Sequence, residues 1–392
     1  MTATIDRRRF LRLGLGASVL AGLGACDTTS FNFGPLGDTG RPRTGAQTFG
    51  DGPTRVALLL PLSGDPALSN VGISMGNAAQ LAMDYVGHNP RIGDNITLSL
   101  RDTGSSAQGA AQQAQAAVND GAALILGPLR ADQVASAGAI AKAAGIPLIG
   151  FSNNAAVAAP GIYLLNVLPD TEVHRSLIYA VDRGRPGIAG VFRNDAFGMA
   201  QQAAFQQALA DLKLTSGGIY SLASDAQVAS VAAQLAAQIV SGAVDAVFMP
   251  DRASAPALAG ALVGAGARQG KVLLIGSADW DNDPAIVATP YLAGAVYPAV
   301  DDTGYRALQP EYAARFGGNP HPLATIAYTA TILANAPTLA NGHYSEGLLT
   351  LPGGFNGRDG VFRFLPNGRS QYALIMKQVT AQGAVRIDGP KL

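Results

Sequence analysis

Cysteine is almost absent from this 392-residue chain; the single one is Cys26, so no disulfide can form within it. Tryptophan is also single, Trp280, and the four histidines, His88, His174, His321 and His343, show no spacing that suits a metal ligand set. Charged residues make up only 14% of the chain, with 27 basic residues against 27 acidic ones. That balance argues against a nucleic-acid binder and against adsorption to anionic lipid by charge alone. No G-x-x-x-x-G-K phosphate loop occurs, and Gly14 with Gly16 gives only a fragment of a dinucleotide fingerprint, inside a segment expected to be removed. No metal and no cofactor are expected.

What is present begins at the N-terminus. Arg7, Arg8, Arg9 and Arg12 precede an apolar run from Leu13 to Ala25. Thirteen residues rise only about 20 Å as a helix, short of the roughly 30 Å hydrocarbon core, so residues 1–25 read as an export signal and not as a spanning helix. The order Asp6-Arg7-Arg8-Arg9-Phe10-Leu11-Arg12 resembles the twin-arginine export signature, with the ordinary secretory route as the alternative. Leu23-Gly24-Ala25-Cys26 resembles a bacterial lipobox, which makes Cys26 a lipidation site and the mature protein a membrane-anchored lipoprotein on the periplasmic side. Residues 26–54, rich in Gly, Thr and Pro, read as a lipidated flexible tether.

From Arg55 the pattern changes. "VALLLPL", "ALILG", "IPLIG", "IAGVF", "AVFMP" and "VLLIG" are short continuous apolar runs, as expected of strands buried on both faces of a parallel sheet. Helical stripes lie between them: Met75, Ala78, Ala79, Ala82, Met83 and Val86 share one face, as do Val134, Ala137, Ala141 and Ala144. This alternation predicts an α/β fold with right-handed crossovers, and its length predicts two doubly wound parallel-sheet lobes joined by hinge crossings. "GIYLLNVLPD" and "LAGAVYPAVDD" read as the crossings out and back. The expected division is lobe 1 over 55–167, lobe 2 over 168–296, a return to lobe 1 over 297–342, and a C-terminal hairpin and hinge-associated segment over 343–392, with Pro366-Asn367-Gly368 as a turn.

"RVALLLPLSG", "ILGPLRADQVASAGAIAKAAGIPLIGFSNN", "NDAFGMA", "LIGSADW", "HPLATIAYTATILA" and "FNGRDGVFRFLPNG" together resemble, in order and spacing, the leucine/isoleucine/valine-type extracytoplasmic solute-binding proteins of the type I periplasmic-binding fold. The resemblance implies two lobes closing on a small polar ligand, no catalysis, and an ABC permease as partner. "LGPL", "DAVFMP" and "LPGGFNGRDGVFRF" are equally similar to lipoproteins that activate penicillin-binding proteins, which implies a cell-wall synthase as the alternative partner.

Open α/β sheets bind ligands beyond the carboxyl ends of their strands, which nominates Ser63, Asp102, Arg130, Ser152, Asn153, Asn154, Asp195, Phe197, Asp251, Arg252, Asp279 and Trp280. Amino-acid binders of this type place hydroxyls after the "GP" turn, where this chain has Arg130-Ala131-Asp132, so a free aliphatic amino acid fits poorly. Asp195, Asp251, Asp279 and Asp281 read either as a site for a cationic amine or, for the first two, as helix caps. Trp280 reads as a stacking wall beside that site, or as a wedge or core residue. Gly72-Ile73-Ser74-Met75-Gly76 spells the nucleophile-elbow pattern and gives a remote alternative, a serine hydrolase using Ser74, but no strand runs directly into it.

Overall fold

A computed structural model describes residues 47–89 and 91–392. The expected signal, Cys26 and the tether up to residue 46 lie outside the described residues. No helix among the described residues is long and apolar enough to cross a membrane.

The first half alternates β1 (Gln47–Phe49), β2 (Thr54–Leu60), α1 (Pro66–His88), β3 (Ile96–Asp102), α2 (Ala107–Asn119), β4 (Leu124–Leu126), α3 (Ala131–Ala143), β5 (Leu148–Gly150) and β6 (Ile162–Leu164). The sheet runs β1-β3-β2-β4-β5-β6, parallel throughout except for β1 at the edge. β2 sits centrally, and Val56 to Leu60 are at most 1% exposed. Burying each of the valine and leucine side chains here contributes about 1.5–3 kcal/mol.

The folded body starts earlier than Arg55. Gln47, Thr48 and Phe49 pair with Leu100, Ser99 and Leu98, and the Gly52 N–H donates to the Ile96 carbonyl. The end of the expected tether is therefore a strand; three residues are too few to display a period in sequence.

The second sheet is built from β7 (Ile188–Arg193), β8 (Ser216–Leu222), β9 (Ala246–Phe248), β10 (Leu273–Ile275) and β11 (Val296–Ala299), all parallel in the order β8-β7-β9-β10-β11. Its helices are α4 (Pro169–Asp182), α5 (Ala196–Asp211), α6 (Val228–Ser241), α7 (Ala255–Gly264) and the short α8 (Pro284–Ala288). The chain then supplies α9 (Thr303–Phe316), α10 (Ala324–Ala334), α11 (Pro337–Asn341) and α12 (Glu346–Leu349) to the first sheet's side. α10 is apolar nearly all round because it is buried between α1 and the first sheet.

The C-terminal segment divides. β12 (Phe355–Gly357), β13 (Gly360–Phe364) and β14 (Ser370–Tyr372) form a small antiparallel sheet whose Phe362, Phe364 and Tyr372 pack into the first core. After Ala373 the chain joins the second sheet as β15 (Leu374–Thr380), antiparallel to β11, followed by β16 (Gly383–Lys391). The chain thus passes between the two sheets three times, at 165–168, at 300–302 and at Ala373.

Candidate functional site

The carboxyl ends of β4 and β5 open onto a cavity of about 630 Å³ whose lining comes entirely from the first sheet's side. The β4 exit turns sharply at Gly127, where φ is +78° and an added Cβ would lie 2.1 Å from the Leu59 carbonyl oxygen. Glycine is required there, and the turn sets Arg130 at the N-terminus of α3. The Arg130 guanidinium is about half exposed and donates through Nε to Asp132 Oδ1 at 3.0 Å. That hydrogen bond holds the Asp132 carboxyl below its ordinary value. The next loop contributes Ser152, buried, whose Oγ accepts from the Asn154 N–H at 3.1 Å. Asn154 Oδ1 accepts from the Ala156 N–H, while the Asn153 side chain is exposed. Val71, Leu129, Phe151 and Leu323 form the apolar part of the wall. Four nominated residues, Arg130, Ser152, Asn153 and Asn154, therefore line one cavity.

Ser63, in the loop after β2, and Asp102, the last residue of β3, lie outside that lining. Asp102 Oδ1 accepts from the N–H groups of Leu62, Ser63 and Gly104, so this carboxylate braces the loops after β2 and β3.

Across the second sheet the nominated acids are already engaged. Asp195 Oδ1 accepts from the Gly198 N–H at 2.8 Å, capping α5, and Oδ2 stands 3.7 Å from Arg193 Nε. Arg193 also pairs with Asp225 at 2.8 Å. Asp251 accepts from the N–H and hydroxyl of Ser254 at the start of α7. Asp279 lies 3.7 Å from the Arg252 guanidinium, which also approaches Asp283. Asp281 accepts from Tyr297 Oη at 2.8 Å and from Lys377 Nζ at 2.9 and 3.1 Å. The helix-cap reading describes Asp195, whereas Asp251 holds the turn that leads into α7 through Ser254, the N-cap residue, and no bare ring of acids awaits an amine. Phe197, 36% exposed, is free to stack.

Trp280 is not an open stacking wall. It is 1% exposed, packs in the second core 6.3 Å from the Tyr297 ring, and covers Gly276, whose missing side chain makes room for the indole.

One acid absent from the nominated set stands out. Glu172, on the first turn of α4, accepts from Gln201 Nε2 at 3.0 Å. Burial first, and then the nearby Asp279, push its carboxyl up to about 7 against the pull of that hydrogen bond. Its position gives no signal in the sequence, because an acid in the first turn of a helix is ordinary.

Ser74 is interior to α1, 3% exposed, and its hydroxyl accepts from the His321 backbone N–H at 2.8 Å. The His321 ring accepts from the Leu323 N–H and makes no hydrogen bond to that hydroxyl. A helical, buried serine without a base is not a nucleophile elbow.

A family model described as periplasmic binding protein matches residues 53–336. The chain belongs to the periplasmic binding protein family. No curated protein matches it in sequence. Among solved structures it is similar to a protein assigned to a branched-chain amino acid ABC transporter of Rhodospirillum rubrum, at 18% identity and a TM-score of 0.70 over 85% of this chain and 99% of the other. It is also similar to the leucine-binding protein LivK of Thermotoga maritima, at 16% identity and 0.55 over 86% and 99%. A third likeness is to the C-domain of LpoA from Haemophilus influenzae, a regulator of PBP1A, at 16% identity and 0.64 over 85% and 100%. At these identities the likenesses establish the two-lobed binding-protein fold.

Proposed function

We propose that this protein is a lipid-anchored extracytoplasmic receptor that holds a small polar ligand, amino-acid-like or derived from peptidoglycan, and delivers it to an ABC importer. The observation that carries the reading is the convergence of Arg130, Ser152, Asn153 and Asn154 on one cavity past the carboxyl ends of β4 and β5. In this reading Arg130 receives the ligand's anionic group, and the amide and hydroxyl groups of the next loop fix its orientation. Phe197 and Arg252 meet the ligand from the second lobe when the three crossings flex. Residues 1–25 export the chain, acyl groups on Cys26 anchor it on the periplasmic side, and residues up to 46 hold the body off the membrane. No catalytic step is assigned.

The test is a thermal-shift screen of the full chain against amino acids, amides and peptidoglycan fragments. One member at micromolar concentration raises Tm in the parent and fails to do so in Arg130→Ala.

A second reading, activation of a penicillin-binding protein, draws support from the likeness to LpoA, which falls within the range of the solute receptors. It also draws on Asp132, which already occupies part of the Arg130 guanidinium. No thermal shift with any ligand, together with capture of a cell-wall synthase by the anchored protein, would favour it over the receptor.

A further inference from the structure

The second sheet carries a separate cavity of about 640 Å³, on the face of β11, β15 and β16 that bears Tyr297, Ile375, Lys377 and Val379. The opposite face of β11 and β15 is backed by the fourteen-residue α4, whereas on this side it is the five-residue α8 that packs against β15. A sheet extended by two antiparallel strands has thus outrun its helical cover. The remaining walls are the 280–283 loop, β16 and the first turn of α9, so the cavity spans the second crossing between the lobes.

Its fixed charges nearly cancel. On the floor, Lys377, 8% exposed, holds both oxygens of Asp281. At the rim, Arg386 pairs with Asp301 at 3.0 Å and Arg306 with Asp302 at 2.9 Å. One donor on the floor nevertheless keeps a hydrogen with no acceptor among the described residues: the ammonium of Lys377, whose bonds to Asp281 use only two of its three. A buried N–H without an acceptor costs about 1–3 kcal/mol, which an occupant bearing an acceptor would recover. A field that nearly cancels favours an occupant of no net charge, while the half-exposed rim pairs can open to receive both signs.

We propose that this cavity is a second small-molecule site, for a zwitterion the size of an amino acid or dipeptide, whose carboxylate accepts from Lys377 Nζ. Its ammonium is received at the rim by Asp301 and Asp302, whose pairs with Arg386 and Arg306 open toward solvent. An occupant joins the second sheet to the first turn of α9 and stiffens the second crossing, so the site couples to lobe movement.

Trp280 is the only tryptophan, so its fluorescence reads the site directly. Alanyl-alanine titrated into the full chain should change the emission saturably with a midpoint of about 1 mM, as expected for a ligand of this size. N-acetylalanine amide, which lacks both charges, should give no change. Lys377→Met leaves Asp281 without its cation and risks misfolding, so the deciding variant is Ala384→Phe, which fills the rim from an exposed position of β16. It should weaken the response at least about tenfold with unchanged circular dichroism, while Arg130→Ala leaves it intact. An emission that never saturates, or a response lost in Arg130→Ala and kept in Ala384→Phe, would overturn the assignment.

Discussion

Arg175 and Asp388 form an ion pair of 2.8 Å between the helix that opens the second lobe and the last strand of the chain, 213 residues later. The same guanidinium donates through Nε to the Leu374 carbonyl at 2.8 Å and through Nη2 to the Gly389 carbonyl at 3.2 Å. One buried side chain thereby fixes α4 to the point where β15 enters the second sheet, so the first and third crossings are anchored on a single residue.

Removing the buried guanidinium takes the donor from two carbonyls and leaves Asp388 with Lys391 alone. Arg175→Met is therefore expected to lower unfolding free energy by about 3 kcal/mol in urea titration. The Asp388 carboxyl is drawn down from 3.8 to about 2, chiefly by the hydrogen bond from Arg175, which burial opposes and Lys391 supports to a lesser extent. A depressed acid adds stability above its unfolded value and loses it as pH falls through the folded value. Melting curves between pH 4 and pH 2 should then fall less steeply in Arg175→Met than in the parent.

Glu172 works in the opposite direction. Its carboxyl is raised from 4.5 to about 7, mainly by burial, so the folded state retains a proton that the unfolded chain releases. Stability attributable to this group is complete below about pH 4.5 and is lost as pH rises through 7. The neutral isostere Glu172→Gln should match the parent near pH 4 and exceed it at pH 8 by about 2 kcal/mol, a figure reduced to allow for solvent reaching part of the side chain. Paired Tm measurements at the two pH values decide it; equal gains at both would show that burial does not disfavour the charge.

Gly127 and Gly145 separate conformational need from close approach. Both have positive φ, +78° and +70°, but nothing lies within 4 Å of a Cβ at Gly145, whereas at Gly127 the Leu59 carbonyl stands 2.1 Å away. Gly145→Ala is expected to cost about 1 kcal/mol and Gly127→Ala at least about 3 kcal/mol, with the added effect of displacing the Arg130 loop. Chemical denaturation of both variants tests the contrast.

The strands that could be read from sequence are those buried on both faces. β2, β4, β5, β7, β9 and β10 coincide with the continuous apolar runs, and all six nominated positions of the α1 stripe are buried. In the α3 stripe Val134, Ala137 and Ala141 are buried, but Ala144 caps the helix in solvent. β1 and β8 are edge strands with exposed residues, so their patterns lack an apolar run. β3 alternates Ser99 and Arg101 among its leucines, as a strand beside an edge should. The site divides along the same line. Loops past strand ends were legible because topology alone places them there. Which acids were already spoken for was not, since Lys377 lies 96 residues from Asp281 and Asp279 lies 27 from Arg252. A fold read from local pattern carries no record of such distant pairings, and Glu172 was passed over because an acid in a helix's first turn is ordinary there.

Arg130 and Asp132 offer a test of the binding wall with two opposite signs. Asp132 engages Nε of the guanidinium and leaves its two Nη groups directed elsewhere, so the carboxylate competes with any anionic ligand for the same cation. Arg130→Ala removes the cation and should weaken a ligand found by thermal shift at least about tenfold, the loss of one charge-assisted bond. Asp132→Asn keeps the cation, frees Nε from its charged partner and lifts local repulsion, so affinity should rise, by about threefold given the exposure of both side chains. Isothermal titration of the two variants against the parent distinguishes this from a structural role. Were the Arg130–Asp132 pair only a brace for the start of α3, both substitutions would weaken binding together, whereas a ligand-facing arginine predicts that they diverge.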